Sequence, residues 1–328
     1  MKRAFNFGAG PAAIPTEVLE EAQRELLDFQ GSGISIMESS HRAKLYENVH
    51  NEAISLMRER KVQYADTGSW SSKAIKEAKI QGLNVEVVAS SKDTNYDRIP
   101  EVNFDDDADY AYITSNNTIY GTEYKTFPST KAPLIIDASS DIFSYPVDWS
   151  KIDMMFAGAQ KNAGPSGVTI VIVKKEMISA PKENIPTILR YSTHADNNSL
   201  FNTPPTFGIY LLNLIMKWIK KQGGIKALQR MNEEKAAIIY DAIDNSGGFY
   251  VGHAQKDSRS LMNVSFNIKD KDAELEAELI KLTSENGMIG LKGHRSIGGL
   301  RASIYNAMSK EGVEALVALM EKFAAEKR

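Results

Sequence analysis

At 328 residues the chain has room for about two domains, and for a core that needs no covalent staples. Hydrophobic residues at 42% and charged residues at 25% give a globular balance, and a net charge of −3 excludes a generally basic, nucleic-acid-binding surface. No cysteine occurs, which removes disulfides, thiolate metal sites and a thiol nucleophile; no apolar run approaches the ~20 residues of a membrane span, and the amino terminus lacks the apolar stretch of a secretory signal, so a cytoplasmic protein is expected.

Taken in chain order, Val18, Leu19, Ala22, Leu26 and Phe29 share one helical face after Thr16, and Gly31 ends that element. A second amphipathic helix is predicted over about 43–60. The texture then changes to short apolar runs at 62–66, 85–90, 110–115, 133–139, 154–159 and 168–174, with a helix at about 72–81 between the first two. Near-continuous β-branched runs without polar alternation predict strands buried on both faces, hence a largely parallel sheet in an α/β fold. Beyond Phe207, two helical stretches meet at Gly223–Gly224. A strand at 261–268, a helix near 272–286, strands near 288–291 and 301–306 and a helix near 309–325 then predict a small α+β unit. The expected division is an arm at 1–15, a large part at 16–225 and a small part at 226–328.

Two strand ends carry the chemistry. In FAGAQKNAGPSGV (156–168), Lys161 directly follows an apolar strand and is flanked by small residues that leave room for a planar group. Strand ends deliver side chains to the rim of a parallel sheet, and a desolvated amine there becomes a nucleophile able to form an imine. The bland alternative is a solvated lysine at a strand-to-loop transition. In PLIIDASSDIF (133–143), Asp137 ends a wholly apolar strand. A carboxylate and an amine at neighbouring strand ends are the pair that pyridoxal 5′-phosphate (PLP) requires, one for the pyridinium nitrogen and one for the aldehyde; a helix cap is the alternative role for Asp137. SSHRAK (39–44) and GHRSIGGLR (293–301) each set His beside Arg, so His41, Arg42, His294, Arg295 and Arg301 are candidates for binding a di- or trianionic substrate. No His/Asp/Glu spacing supports a metal site. GAGPAA (8–13) fits a loose dinucleotide fingerprint, but it lacks the preceding strand and Pro11 removes an amide, which argues against an NAD-linked oxidoreductase.

Over nearly its whole length the sequence resembles the phosphoserine aminotransferase family, class V PLP-dependent enzymes of fold type I. The resemblance rests on FNFGAGPAAIP, SSHR, ADTGSWSSKAIKEA, SNNTIYGTEY, IIDASSDIFS, AGAQKNAGPSG, NNSLFNTPPTFGIY, SLMNVSF and GHRSIGGLRASIYNA. It implies that Lys161 forms the Schiff base with PLP, that Asp137 pairs with the pyridinium, that Trp70 stacks on the ring and that Thr118 bonds its phenolic oxygen. It further implies Gln160 near the phosphate, with Asn202 and Thr203 reaching the phosphate from the second subunit of a homodimer. His41 and Arg42 would cross the same interface, joining His294 and Arg295 around the substrate's phosphate or distal carboxylate, and Arg301 would take the α-carboxylate. The implied reaction moves an amino group between glutamate and 3-phosphohydroxypyruvate, giving phosphoserine and 2-oxoglutarate for serine biosynthesis and, in some relatives, serving pyridoxine biosynthesis too.

One stretch departs from that pattern. SLMRERKVQYADTG runs from helix into strand with no Gly, Pro or Asn between Arg58 and Val62, whereas the family carries a strand, a Gly-Gly turn and a phosphate-cradling helix before ADTGSW. About thirty residues are therefore expected to be absent near Arg60, leaving the sheet a strand short and the cofactor phosphate less well held. The alternative function this implies is a fold type I dimer with impaired cofactor binding.

Overall fold

The computed structural model describes residues 16–57, 61–178 and 185–327. The glycine pattern at 8–13, the amino-terminal arm and Arg58–Arg60 lie outside the described residues. The chain divides into two units, Met1–Glu59 and Arg60–Arg328.

In the first unit, helix α1 spans Thr16–Glu25 and α2 spans Lys44–Met57. The first helix stops short of the expected Phe29. The Asp28 carboxylate instead accepts the Gly33 N–H at 2.6 Å, and Gln30 adopts φ 53°, so a loop closes where the helix would have continued. Phe29 is buried in that loop. Between the helices, Ser35 and Glu38 cap a short 3-10 turn reciprocally.

The second unit opens with strand β1 (Lys61–Asp66), helix α3 (Ser69–Ile80), β2 (Asn84–Ser90) and β3 (Tyr110–Thr114). A short hairpin of β4 (Asn116–Asn117) and β5 (Thr122–Glu123) follows, then β6 (Leu134–Asp137), β7 (Met154–Gly158) and β8 (Thr169–Val173). The main sheet has the order β2-β1-β3-β6-β7-β8, parallel throughout except for the antiparallel β7–β8 pair. Its central strands are buried on both faces, as the apolar runs predict. Ala111, Ile113, Leu134, Ile136 and Ala157 pack on one side, and Val62, Tyr64, Tyr112 and Ile135 on the other. The edges depart from that reading: β2 and β8 each leave residues exposed, because an edge strand has a neighbour on only one side.

Helices α4 (Tyr191–Asp196), α5 (Thr206–Lys221) and α6 (Ile225–Asp244) come next, the last two joined at Gly223–Gly224, both at positive φ. The antiparallel sheet β11-β10-β9 is built from β9 (Tyr250–Gly252), β10 (Asn263–Ile268) and β11 (Leu300–Ser303). It shares one core with α6, α7 (Ala273–Glu285) and α8 (Lys310–Lys327), in which Val313, Leu316, Met320 and Phe323 of α8 are buried. No strand forms at 288–291. Gly287 and Gly290 sit at φ 77° and 82°, which breaks the extended run, and pairing reduces to a single bridge between Lys292 and Leu300. Among the described residues, no helix is long and apolar enough to cross a membrane.

Candidate active site

In the sheet order, β1 connects to β2 on one side and then to β3 on the other, which opens a crevice at the carboxyl ends of the parallel strands. Four successive strand ends feed it. Trp70 follows β1, Thr118 follows β3, Asp137 ends β6 and Lys161 follows β7. Together with Thr114, Asn116, Ser139, Ser140 and Gln160 they line a cleft of about 130 Å³.

Local chemistry explains each placement. Ser71 Oγ accepts the N–H groups of Thr67 (2.9 Å) and Gly68 (3.0 Å), starting α3 immediately beyond β1 and putting Trp70 in its first turn. Gly68 is required there, since a Cβ would lie 2.6 Å from the Asn117 side-chain oxygen. The β4–β5 hairpin carries Thr118. Side-chain alternation along β6 sends Asp137 to the face opposite Leu134 and Ile136, and one of its carboxylate oxygens accepts the Ser139 N–H at 2.9 Å. Beyond β7 the chain turns tightly, with the N–H groups of Ala163 and Gly164 both donating to the Ala159 carbonyl, and the turn swings Lys161 back over the strand ends.

Lys161 Nζ donates to Thr118 Oγ1 at 2.7 Å. Burial pushes its amine below the ordinary lysine range and Arg301 adds to that, while Asp137 and Asp141 oppose it. It is not the solvated lysine of the bland reading. Arg301 lies on β11, with one terminal nitrogen 3.4 Å from the Thr118 carbonyl and a buried Nε that has no partner among the described residues. A guanidinium with an unsatisfied buried edge awaits an anion. His294 stands in the turn between Gly293 and Gly299, where the Gly293 N–H meets the Gly299 carbonyl at 2.8 Å and a Cβ on Gly293 would lie 2.0 Å from the Gly298 carbonyl oxygen. Desolvation, followed by Arg301, Arg295 and Lys73, pushes the His294 ring below its ordinary range. These cations share one neighbourhood. Arg295 itself is exposed.

Other sequence candidates fall outside this cleft. Asn202 and Thr203 are exposed in the loop before α5 and do not line it. His41 and Arg42 form an exposed turn before α2 in the first unit. Sequence reasoning missed Ser139 and Ser140, which lie inside the quoted IIDASSD motif, and Lys73, whose Nζ rests 4.3 Å from the Trp70 ring centroid. The SWSSK spacing, one helical turn from aromatic to cation, is the signal that would have found Lys73.

The class-V aminotransferase family matches residues 46–316. The chain belongs to the class-V aminotransferase family. Phosphoserine aminotransferase of Campylobacter lari is 52% identical over 354 aligned positions, covering 98% of this chain and 99% of that protein. Among solved structures, phosphoserine aminotransferase from Bacillus circulans subsp. alkalophilus aligns with a TM-score of 0.80 at 48% identity, covering 99% of both chains. The PLP-bound phosphoserine aminotransferase from Trichomonas vaginalis gives 0.75 at 37%, covering 97% of this chain and 100% of that one. The fold is therefore the PLP-dependent fold type I, with its mainly parallel sheet and a smaller antiparallel one. The 354 positions aligned with the Campylobacter protein exceed the whole 328-residue chain, of which the alignment covers 98%, by 26, so at least 26 residues of the relative have no counterpart here.

Proposed function

We propose that this chain is a PLP-dependent phosphoserine transaminase of serine biosynthesis, moving the amino group between glutamate and 3-phosphohydroxypyruvate. The observation that carries this reading is the half-buried Lys161 amine, held by Thr118 at the end of β7 with the Asp137 carboxylate on the adjacent strand end. The cleft residues fit the ring end of PLP: a half-buried amine, a carboxylate, an aromatic wall at Trp70 and a hydroxyl at Thr118. For its phosphate the cleft offers Gln160 and the Ser139 and Ser140 hydroxyls, and the reading adds Asn202 and Thr203 from a second copy.

When bound, PLP supplies an electrophilic carbonyl carbon and a ring nitrogen that draws electrons away from the substrate's Cα. The protein's part follows from its own groups. Burial and Arg301 favour the neutral Lys161 amine, so Nζ would be the base that takes the proton from the substrate's Cα and passes it to the carbon that was the cofactor's aldehyde, the net shift an amino-group transfer needs. Asp137 would hold a proton on the ring nitrogen, and Trp70, itself partly open to solvent, would lie against one ring face. The unpartnered Nε edge of Arg301 receives the α-carboxylate. His294 and Arg295, with His41 and Arg42 of a second copy, take the phosphate of one substrate and the distal carboxylate of the other. A cytoplasmic homodimer with shared sites, and the division into an arm at 1–15, a cofactor part at 16–225 and a small part at 226–328, belong to the same reading.

A second reading rests on the relative's unmatched residues, at least 26 of them: a fold type I dimer that holds PLP weakly because a phosphate-binding segment is missing near Arg60. A coupled assay with glutamate, 3-phosphohydroxypyruvate and a PLP titration tests both. Turnover supports the first reading. Turnover that appears only at high PLP supports weak binding, and none at saturating PLP refutes the transaminase.

A further inference from the structure

Behind the cleft lies a buried acid that the proposed reaction leaves unused. Asp141, four residues past Asp137, is 3% exposed and has no cationic partner among the described residues. Both of its carboxylate oxygens accept hydrogen bonds from neutral hydroxyls, Ser115 at 2.6 Å and Tyr145 at 2.7 Å. Ser115 is also tied to Asp137, whose carbonyl accepts the Ser115 N–H at 3.0 Å, with the Ser115 hydroxyl 3.1 Å from the same oxygen. Beyond Asp141, Phe143 is held at φ 63°, a left-handed conformation costly for a bulky residue, and its carbonyl is gripped by Asn306 Nδ2 at 3.1 Å. Such a loop, with a desolvated carboxylate and a strained residue, lowers stability and needs a compensating reason.

We propose that Asp141 is a positioning residue, a buried carboxylate that fixes the Asp137 strand end through Ser115 and places a negative field behind Lys161. The inference rests on the aminotransferase reading for what that field serves, but not for its existence. The charged groups that act on Asp141 or feel it are Glu123 of β5, which is paired with Lys125 at 3.2 Å, Asp137 of β6 and Lys161. Burial, with Glu123 next, pushes the Asp141 carboxyl up to about 7. Its anion favours the charged form of Lys161, opposing burial and Arg301. Asp141 thus restrains the amine that its surroundings would otherwise strip of its proton. It also lines a second cavity, of about 380 Å³, with Ala138, Phe143, Tyr145 and Met155, so it sits between the back of the sheet and the cleft.

The test uses Asp141→Asn, which keeps the shape and removes the charge, and Tyr145→Phe, which removes one donor to the anion and pushes Asp141 further toward its neutral form. Competitive acylation of all lysines in the apoprotein, read by mass spectrometry across neutral to alkaline pH, reports the Lys161 midpoint without cofactor or substrate. Asp141→Asn is expected to lower that midpoint by about one unit and Tyr145→Phe by less, in the same direction. Asp141→Asn also melts higher than the wild type at alkaline pH and equally at acidic pH, because only the anion carries the desolvation cost. A Lys161 midpoint unchanged in both variants overturns the inference, whatever happens to turnover. Absence of transamination in the wild type would instead overturn the functional reading, and the acylation result would still decide the role of Asp141.

Discussion

The floor and the rim of the cleft are built on opposite principles. The floor is made of strand ends whose polar groups are already engaged, Lys161 by Thr118 and Asp137 by Ser139, with Asp141 behind them held by Ser115 and Tyr145. At the rim, Arg301 has a buried Nε with no partner among the described residues, and His294 is depressed by burial and then by neighbouring cations. A finished floor and an unfinished rim are what a site needs when its chemistry is fixed and its anionic substrates come and go. The difference also separates the expected effects of substitution: floor changes act on kcat, rim changes on KM.

The largest effect belongs to the floor. Lys161→Ala is expected to reduce transamination by at least about a thousandfold, since no other described cleft residue offers an amine to move the Cα proton. Steady-state kinetics with both amino-acid substrates checks this, and turnover within tenfold of wild type would break the comparison. At the rim, Arg301→Met is expected to raise KM for glutamate and for phosphoserine alike by about a hundredfold, the value of a lost charge-assisted bidentate contact. A selective effect on one substrate would move Arg301 from the shared α-carboxylate to the distal group.

The small sheet supports the rim, and Lys235 supports the segment that follows β11. This lysine is 2% exposed, and its ammonium donates to the carbonyls of Ile304 (3.1 Å), Tyr305 (2.9 Å) and Met308 (3.0 Å). Lys235→Met leaves those carbonyls without their donor and is expected to cost about 2–3 kcal/mol in denaturant unfolding. Burial lowers the Lys235 amine to about 8, so the unfolded chain binds the extra proton above that value. This group's contribution to stability therefore rises as pH climbs from about 8 toward 10.5, and the slope disappears in the methionine variant. The smallest effect is expected at His294. His294→Gln should raise KM for the phosphorylated substrate by no more than about fivefold, and should flatten the tightening that wild type shows as falling pH protonates the ring. Pre-steady-state binding across that pH range measures it, and an unchanged pH dependence would place His294 away from the anion.

Much of the floor was legible in the sequence because its signals are local. A wholly apolar run ending in Asp137, and another followed by Lys161 among small residues, describe buried parallel strands and what their ends deliver. Gly223–Gly224 marked the α5–α6 junction for the same reason: a left-handed position is written in one residue. Features that depend on a neighbour's identity were not legible. Nothing within 168–174 says that β8 runs antiparallel at an edge, since direction is settled by the connection and by what stands beside it. The stretch 288–291 reads as a strand until Gly287 before it and Gly290 within it adopt positive φ. Asp141 was quoted inside a motif yet carried no separate signal, because its partners come from 26 residues upstream, at Ser115, and from the end of its own loop. The rim residues were named from repeated His-Arg pairs, but only the folded chain separates Arg301, on a strand and partly buried, from Arg295, on an exposed turn.

The claim on which the rest depends is that Lys161 is the amine that holds PLP. Incubation of the full chain with PLP, borohydride reduction and peptide mapping by mass spectrometry tests it without substrate or turnover. The account requires a pyridoxyl group on the peptide carrying Lys161 in the wild type and its loss in Lys161→Ala. A reduced adduct on another lysine, or equal labelling in the two proteins, would contradict it.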